Sequence, residues 1–451
     1  MVHGIRQKLK SIQPGSYLCG FFIVCVWLLS FEEPLARLAV SGITVFRNLL
    51  PVAAVLLFTY RTAKEQHHFS QLLSPFFIAG AVFSASGFIG WLMNRLQNSA
   101  VTAGAWYEHL RFWLCLYLFA GLFGSLDIRK YAKTLFSHIA VLSGVTVLSG
   151  ACDLIFSIWP HQTYRYGIGS IQIFYGHPSN LGAHAVFLSA MLLLFFPYFS
   201  KETRADRIRR ILTFVLVPLL LLSIVFTLRI RLIGLAVFSL ILFIWMIPLG
   251  RRVSLPALLA GASLALLTGW RRLYDFYFSP YAYTMARGQF AVNSLDIAKQ
   301  NAPFGSGFGT FGSRLAQLNY SPLYYRYHMM TTIGMTPSHP AYACDTFFPC
   351  ILAESGWLGL AAYAVLIALL TIRLLRLPKT GRIDPPRRFA CFAGLCLLGF
   401  ELLDTTGALA FSETYSVLIA IALGLSLAVL RPASLPAQTD SPGTPPAESP
   451  V

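Results

Sequence analysis

Residues 215–248 read VLVPLLLLSIVFTLRIRLIGLAVFSLILFIWMIP, and among ionisable side chains only Arg229 and Arg231 interrupt them. On either side of that interruption the chain stays apolar long enough to approach the span of a hydrocarbon core, roughly 30 Å at about 1.5 Å per residue. The pattern recurs along all 451 residues, of which 56% are hydrophobic and 12% charged, with a mean hydropathy of +0.63. Soluble proteins carry about 25% charged residues. Half that fraction cannot clothe water-facing domains of this total length, so the soluble class is excluded and an all-α polytopic membrane protein is expected.

Apolar runs bounded by charge give about twelve candidate spans by the ~20-residue criterion. They lie near 17–31, 38–60, 71–93, 106–126, 134–158, 181–199, 211–228, 231–249, 254–270, 346–372, 389–405 and 411–430. The first follows Arg6, Lys8 and Lys10 and leads into Phe31-Glu32-Glu33-Pro34, with no small-residue cleavage site, so it reads as a retained anchor. If the spans alternate, basic clusters such as Arg129/Lys130/Lys133, Lys201 to Arg210, Arg251/Arg252, Arg373 to Arg388 and Arg431 share one side. The positive-inside rule makes that side cytoplasmic and puts both termini there. The expected organisation is nine membrane helices in 1–270, a periplasmic loop domain at 271–344 between helices nine and ten, three more helices in 345–431, and a disordered Pro/Ser/Thr-rich cytoplasmic tail at 432–451.

The net charge of +17 follows from these loops, and no nucleic-acid partner is inferred. The eight cysteines form no CxxC pair and sit mostly in apolar runs, so neither a disulfide framework nor a zinc site is indicated. His177, His184 and His339 lack metal-ligand spacing. No cofactor is assigned.

The remaining charges carry the functional reading. An arginine at a helix centre costs roughly 2.5–3.5 kcal/mol on insertion scales. Arg229 and Arg231 therefore either snorkel from a tight outer turn or aim a guanidinium at an anion, whose oxygens its fork suits. Arg165 opens RYGIGSIQIFYGHPSN, where glycines and Pro178 forbid a regular helix. Arg287 opens a helix-like run that ends at Pro303 and the glycine turn of Gly305 and Gly307. That turn either lets backbone approach a ligand or re-enters the membrane. Asp345 is either a helix N-cap or a carboxylate able to accept a proton from a sugar hydroxyl. Glu354, nine residues on, is a functional candidate or a hydrogen bond to a neighbouring helix. Glu401, Asp404 and Glu413 read as solvated loop charges.

Five pieces in order, RYGIGSIQIFYGHPSNLGAH, TLRIRLIGLA, RGQFAVNSLDIAKQNAPFGSGFGTFGS, YSPLYYRY and DTFFPCILAESGWLG, span roughly residues 160–365. Together they resemble the O-antigen ligase/polymerase family of envelope-polysaccharide enzymes. The resemblance implies a GT-C-like helical fold in the bacterial inner membrane, with a periplasmic active site and a donor glycan on undecaprenyl diphosphate. Arg229 stands at the family's span arginine, with Leu228 replacing a serine, and Arg287 at the arginine opening the large-loop helix. Where ligases have His-Asn nine residues before the glutamate of Glu-x-Gly, this chain has Asp345-Thr346. That departure, with GSGFGTFGS and SPLYYRY, is more similar to the capsular and exopolysaccharide polymerase branch.

On this resemblance Arg229 and Arg287, with Arg165 and Arg231, meet the diphosphate charge, and Asp345 deprotonates or orients the acceptor hydroxyl, with His339 as a substitute base. His177, Asn180, Tyr324 and Tyr325 contribute to substrate binding. The reaction is an inverting, metal-independent transfer joining lipid-linked repeat units, with a chain-length regulator as a possible partner. The alternatives are a ligase transferring the glycan to lipid A-core or another acceptor, and a flippase or exporter of lipid-linked sugar. The absence of an internal repeat and the gathering of charge at one edge weigh against transport.

Overall fold

The computed structural model describes residues 14–38, 42–64, 74–124, 126–161, 164–165, 167–253, 255–376 and 384–431. The expected tail at 432–451 lies outside them. The chain folds as helices α1 (Pro14–Ser30), α2 (Glu32–Arg37), α3 (Gly42–Lys64), α4 (Pro75–Asn94), α5 (Ser99–Phe123) and α6 (Ile128–Phe156), a two-residue hairpin of β1 (Tyr164–Arg165) and β2 (Ile168–Gly169), then α7 (Pro178–Phe195), α8 (Arg204–Phe226), α9 (Ile230–Met246) and α10 (Leu255–Leu267). Short helices α11 (Trp270–Tyr277), α12 (Ala286–Gln300), α13 (Arg314–Leu318) and α14 (Pro322–Arg326) follow, and α15 (Phe347–Leu375), α16 (Pro385–Asp404) and α17 (Ser416–Leu430) close the chain. Each of the twelve apolar runs overlaps a helix. Among the described residues five helices, α4, α6, α7, α8 and α15, are long and apolar enough to cross a bilayer, and several shorter apolar ones accompany them. This is an all-α, multi-pass membrane protein.

Polar side chains set several of the helix starts. Asn98 accepts from the Val101 amide at 2.9 Å, Asp127 from Arg129 at 3.1 Å and Thr203 from Asp206 at 3.3 Å, each satisfying an otherwise orphaned N–H. The middle of the bundle is α7 and α17, whose side chains are buried nearly all round. Around them α3, α6, α8 and α9 turn large apolar residues such as Val55, Leu148, Phe214 and Leu240 outward. Such faces suit hydrocarbon as solvent.

The segment between α10 and α15 has a small core of its own, built on Phe290, Phe311, Leu323, Tyr324 and Met335. It is anchored at a break in α15. Gly356 leaves the helical region at φ 64°, and the freed backbone receives the glycine turn: Ser306 N donates to Ala353 O at 2.8 Å and Gly307 N to Glu354 O at 2.9 Å. A Cβ at Gly305 would strike the backbone of Ala353 and Gly356, and one at Gly307 would strike Trp91. The glycines thus serve backbone-to-backbone packing.

Candidate functional site

The turn between α8 and α9 is tight because Leu228 takes a left-handed conformation, φ 54°, and Arg229 then starts α9. The turn read from the sequence is present, but the arginines do not snorkel. Both are half-buried and reach inward across the first turn of α7. Arg231 Nη2 donates to Ser179 Oγ at 2.8 Å, and its Nε lies 2.8 Å from Asp404 Oδ1, an ion pair without hydrogen-bond alignment. Arg229 Nη2 lies 3.3 Å from His177 Nε2.

A second arginine–aspartate pair faces this one. Arg287, on α12, donates to Asp345 Oδ2 through Nη2 at 2.8 Å and Nε at 3.2 Å, while Phe276 stacks 4.7 Å from its guanidinium. Both bonds use Oδ2. Asp345 is not the N-cap of α15; Thr346 holds that position, without a side-chain cap. The two pairs meet at Gly407, where an added Cβ would collide with Arg231 Nη1 and lie 3.1 Å from Arg287 Nη2. Tyr277 closes the group: its hydroxyl donates to Thr406 O at 3.4 Å. Burial raises its pKa, against the opposing pull of Arg287.

His177 sharpens the chemistry. Its Nδ1 accepts from the Ser179 amide at 3.1 Å, capping α7. Burial, then Arg229 and Arg231, push its pKa down to about 4, so the ring is neutral near pH 7. A neutral imidazole has one acceptor nitrogen. Both ring nitrogens face donors, the Ser179 amide at Nδ1 and Arg229 Nη2 at Nε2, and the neutral ring can accept from one of them. Three guanidiniums against two carboxylates, at the positive end of α7, form a place for an anion.

Of the other residues expected here, Asn180 is one turn along α7, donating to Tyr175 O at 3.1 Å. The Arg165 side chain lies outside the described residues. Tyr324 is fully buried, its hydroxyl bonded to Ala343 O at 3.1 Å and Gly312 N at 3.0 Å, so its face is unavailable to a sugar. Tyr325 is exposed beside Tyr320, and His339 is exposed in a turn held by Thr336. Glu354 is a structural carboxylate: completely buried, it accepts from Phe311 N at 3.0 Å and Ser313 Oγ at 2.6 Å and contacts His109 Nε2 at 3.2 Å. His109 Nε2, Cys350 Sγ and a Glu354 oxygen lie within 4.8 Å of one another, close enough to hold a metal; here hydrogen bonds knit them.

The expectation of solvated charges near the last outer turn is corrected. Glu401 and Asp404 are buried, at 0% and 1% exposure, because Ser416 and Arg231 supply partners from other helices. The sequence reading passed over Arg47, Glu108 and Arg111, although they interrupt apolar runs as Arg229 does. With Glu32, Glu413 and Arg314 they line a chamber of about 240 Å³. On another side, an almost wholly apolar groove of about 300 Å³ runs between α8 and α9. It reaches Ile224 and Leu235, within a turn or so of Arg229 and Arg231. No family model matches the chain, and no curated protein matches it.

Proposed function

We propose that this chain is an inner-membrane glycosyltransferase that polymerises undecaprenyl-diphosphate-linked oligosaccharide repeat units on the periplasmic face. In this reading it is a GT-C-like protein of twelve passes with both termini in the cytoplasm. The observation that carries the reading is the convergence of Arg231 and Arg287 over Gly407, beside the His177–Arg229 contact and at the head of an apolar groove. A cluster of fixed donors suits a diphosphate, and a slot lined by Val217, Leu221, Leu235 and Phe243 suits an isoprenoid tail.

The donor's diphosphate lies among Arg229, Arg231 and Arg287. An acceptor hydroxyl attacks the anomeric carbon, the bond from that carbon to the diphosphate breaks, and undecaprenyl diphosphate leaves with the electron pair. Asp345, held by Arg287 through Oδ2, takes the hydroxyl proton on Oδ1. Charge developing on the leaving group meets guanidiniums already in place, the kind of preorganised stabilisation that removes several kcal/mol from a barrier, roughly 3–4 per donor. One displacement inverts the anomeric centre.

The test is the purified protein in liposomes supplied with lipid-linked repeat units. A ladder of lengthened chains is expected. Transfer onto lipid A-core alone favours the ligase reading, and movement of unextended units across the bilayer favours transport.

A further inference from the structure

We infer that the mixed-charge chamber beside the arginine cluster binds a sugar residue of the acceptor glycan; this rests on the transferase reading and extends it to a second site. The chamber, about 240 Å³, is walled by carboxylates of Glu108 and Glu413 and guanidiniums of Arg111 and Arg314. Arg111 Nη2 fixes the wall by donating to the carbonyls of Ser412 at 2.6 Å and Glu413 at 3.1 Å.

Three lining residues are more than nine-tenths buried yet carry a side-chain polar atom without a hydrogen-bond partner among the described residues: Ser30 Oγ, Arg47 Nε and Arg111 Nε. Orphaned buried polar atoms around a cavity ask for a ligand or water. The lining decides which kind of ligand. Carboxylates repel a phosphate, and a charged wall rejects an isoprenoid. A polyhydroxyl ring offers a donor and an acceptor at every hydroxyl, which a lining of both carboxylates and guanidiniums satisfies. The volume is somewhat below the roughly 300 Å³ at which drug-sized sites begin, so one small ring is the natural occupant.

Position agrees with this chemistry. Tyr415 lines the chamber, and its hydroxyl donates to Asp404, the carboxylate paired with Arg231. Chamber and arginine cluster are therefore neighbours across one tyrosine–aspartate partition. An acceptor sugar held on one side and a donor diphosphate on the other is the arrangement a transfer between two lipid-linked glycans requires.

The experiment measures calorimetric binding of lipid-free repeat-unit oligosaccharide, released by mild acid from lipid-linked intermediates of the producing cells, to the full-length protein in nanodiscs. Saturable binding is expected, weakened at least about tenfold by Arg314→Ala and by Glu413→Gln and unchanged by Ile333→Ala, an exposed loop position outside the chamber. No saturable binding, or binding lost with Ile333→Ala and indifferent to the chamber variants, overturns the assignment. If the sugar binds through the chamber while the protein elongates nothing in liposomes, the chamber stands and the transferase reading falls. If the protein elongates chains while binding ignores both chamber variants, the transferase stands and the chamber falls.

Discussion

Arg287 grips a single oxygen of Asp345, with Nη2 at 2.8 Å and Nε at 3.2 Å, so the same contact fixes the guanidinium that meets Arg231 at Gly407 and leaves the other carboxylate oxygen outside it. Arg287→Ala removes the cation and that contact together. Polymer in cells is expected to fall by at least about a hundredfold, the scale of losing one preorganised donor, while protein level in the membrane holds. Asp345→Asn keeps shape and hydrogen bonding but cannot take a proton, so it too is expected to leave folding intact and remove turnover. Elongation by purified Asp345→Asn protein would place the base elsewhere.

Gly407 tests the meeting of the two pairs. An alanine methyl there falls against the ends of two long side chains and not against backbone, so the fold can give way cheaply while Arg231 and Arg287 are displaced. Turnover of Gly407→Ala is expected to drop at least about tenfold, with a thermal midpoint close to that of the unaltered protein. A large loss of stability with normal turnover would separate Gly407 from the chemistry.

The helical layout was legible because a hydrocarbon span leaves a long compositional mark. The ends were less so. Hydropathy stops at the edge of the apolar run, whereas α5 begins at Ser99, α6 at Ile128 and α8 at Arg204, where caps and not apolarity set the start. Within the site, Arg229, Arg231, Arg287 and Asp345 stood out because each is conspicuous in its own segment. Asp404 did not: its burial depends on Arg231 from a distant helix, and spacing within one segment does not report a partner elsewhere. Arg111 and Glu108 carried a signal of their own, a charge inside an apolar run, that was not followed.

Glu354 separates structure from catalysis. Its carboxylate holds Phe311 N and Ser313 Oγ in a fully buried place, and Glu354→Ala strands both donors. A destabilisation of about 3 kcal/mol or more is expected, read as loss of folded protein in detergent. Asp345→Asn is expected to keep that yield, so the contrast between the two acids is the check.

His177 gives a pH dependence with a definite sign. Its folded pKa is about 4 against an ordinary 6.5. Above about 6.5 both folded and unfolded chains hold it neutral, and its favourable contribution is fully present; as pH falls from there through about 4 the unfolded chain binds the proton first and stability drains away. The loss is on the order of 3 kcal/mol at most. Unfolding midpoints measured from pH 7 to pH 4 are expected to fall more steeply for the unaltered protein than for His177→Gln; parallel curves would mean the ring is not held neutral.

The groove between α8 and α9 separates tail binding from headgroup chemistry. Its walls are almost wholly apolar, with Val217, Leu221, Ala236 and Phe243 among the residues that line it. Ala236→Trp, at a partly exposed lining position on α9, puts a bulky apolar ring into the slot. For a full-length undecaprenyl donor the apparent KM is expected to rise about tenfold or more, since each buried CH₂ of tail contributes roughly 0.8 kcal/mol. A donor with a short, water-soluble isoprenoid makes little use of the groove, and its KM is expected to change far less. If both donors suffer alike, the substitution has disturbed the headgroup site and the groove is not the tail's path.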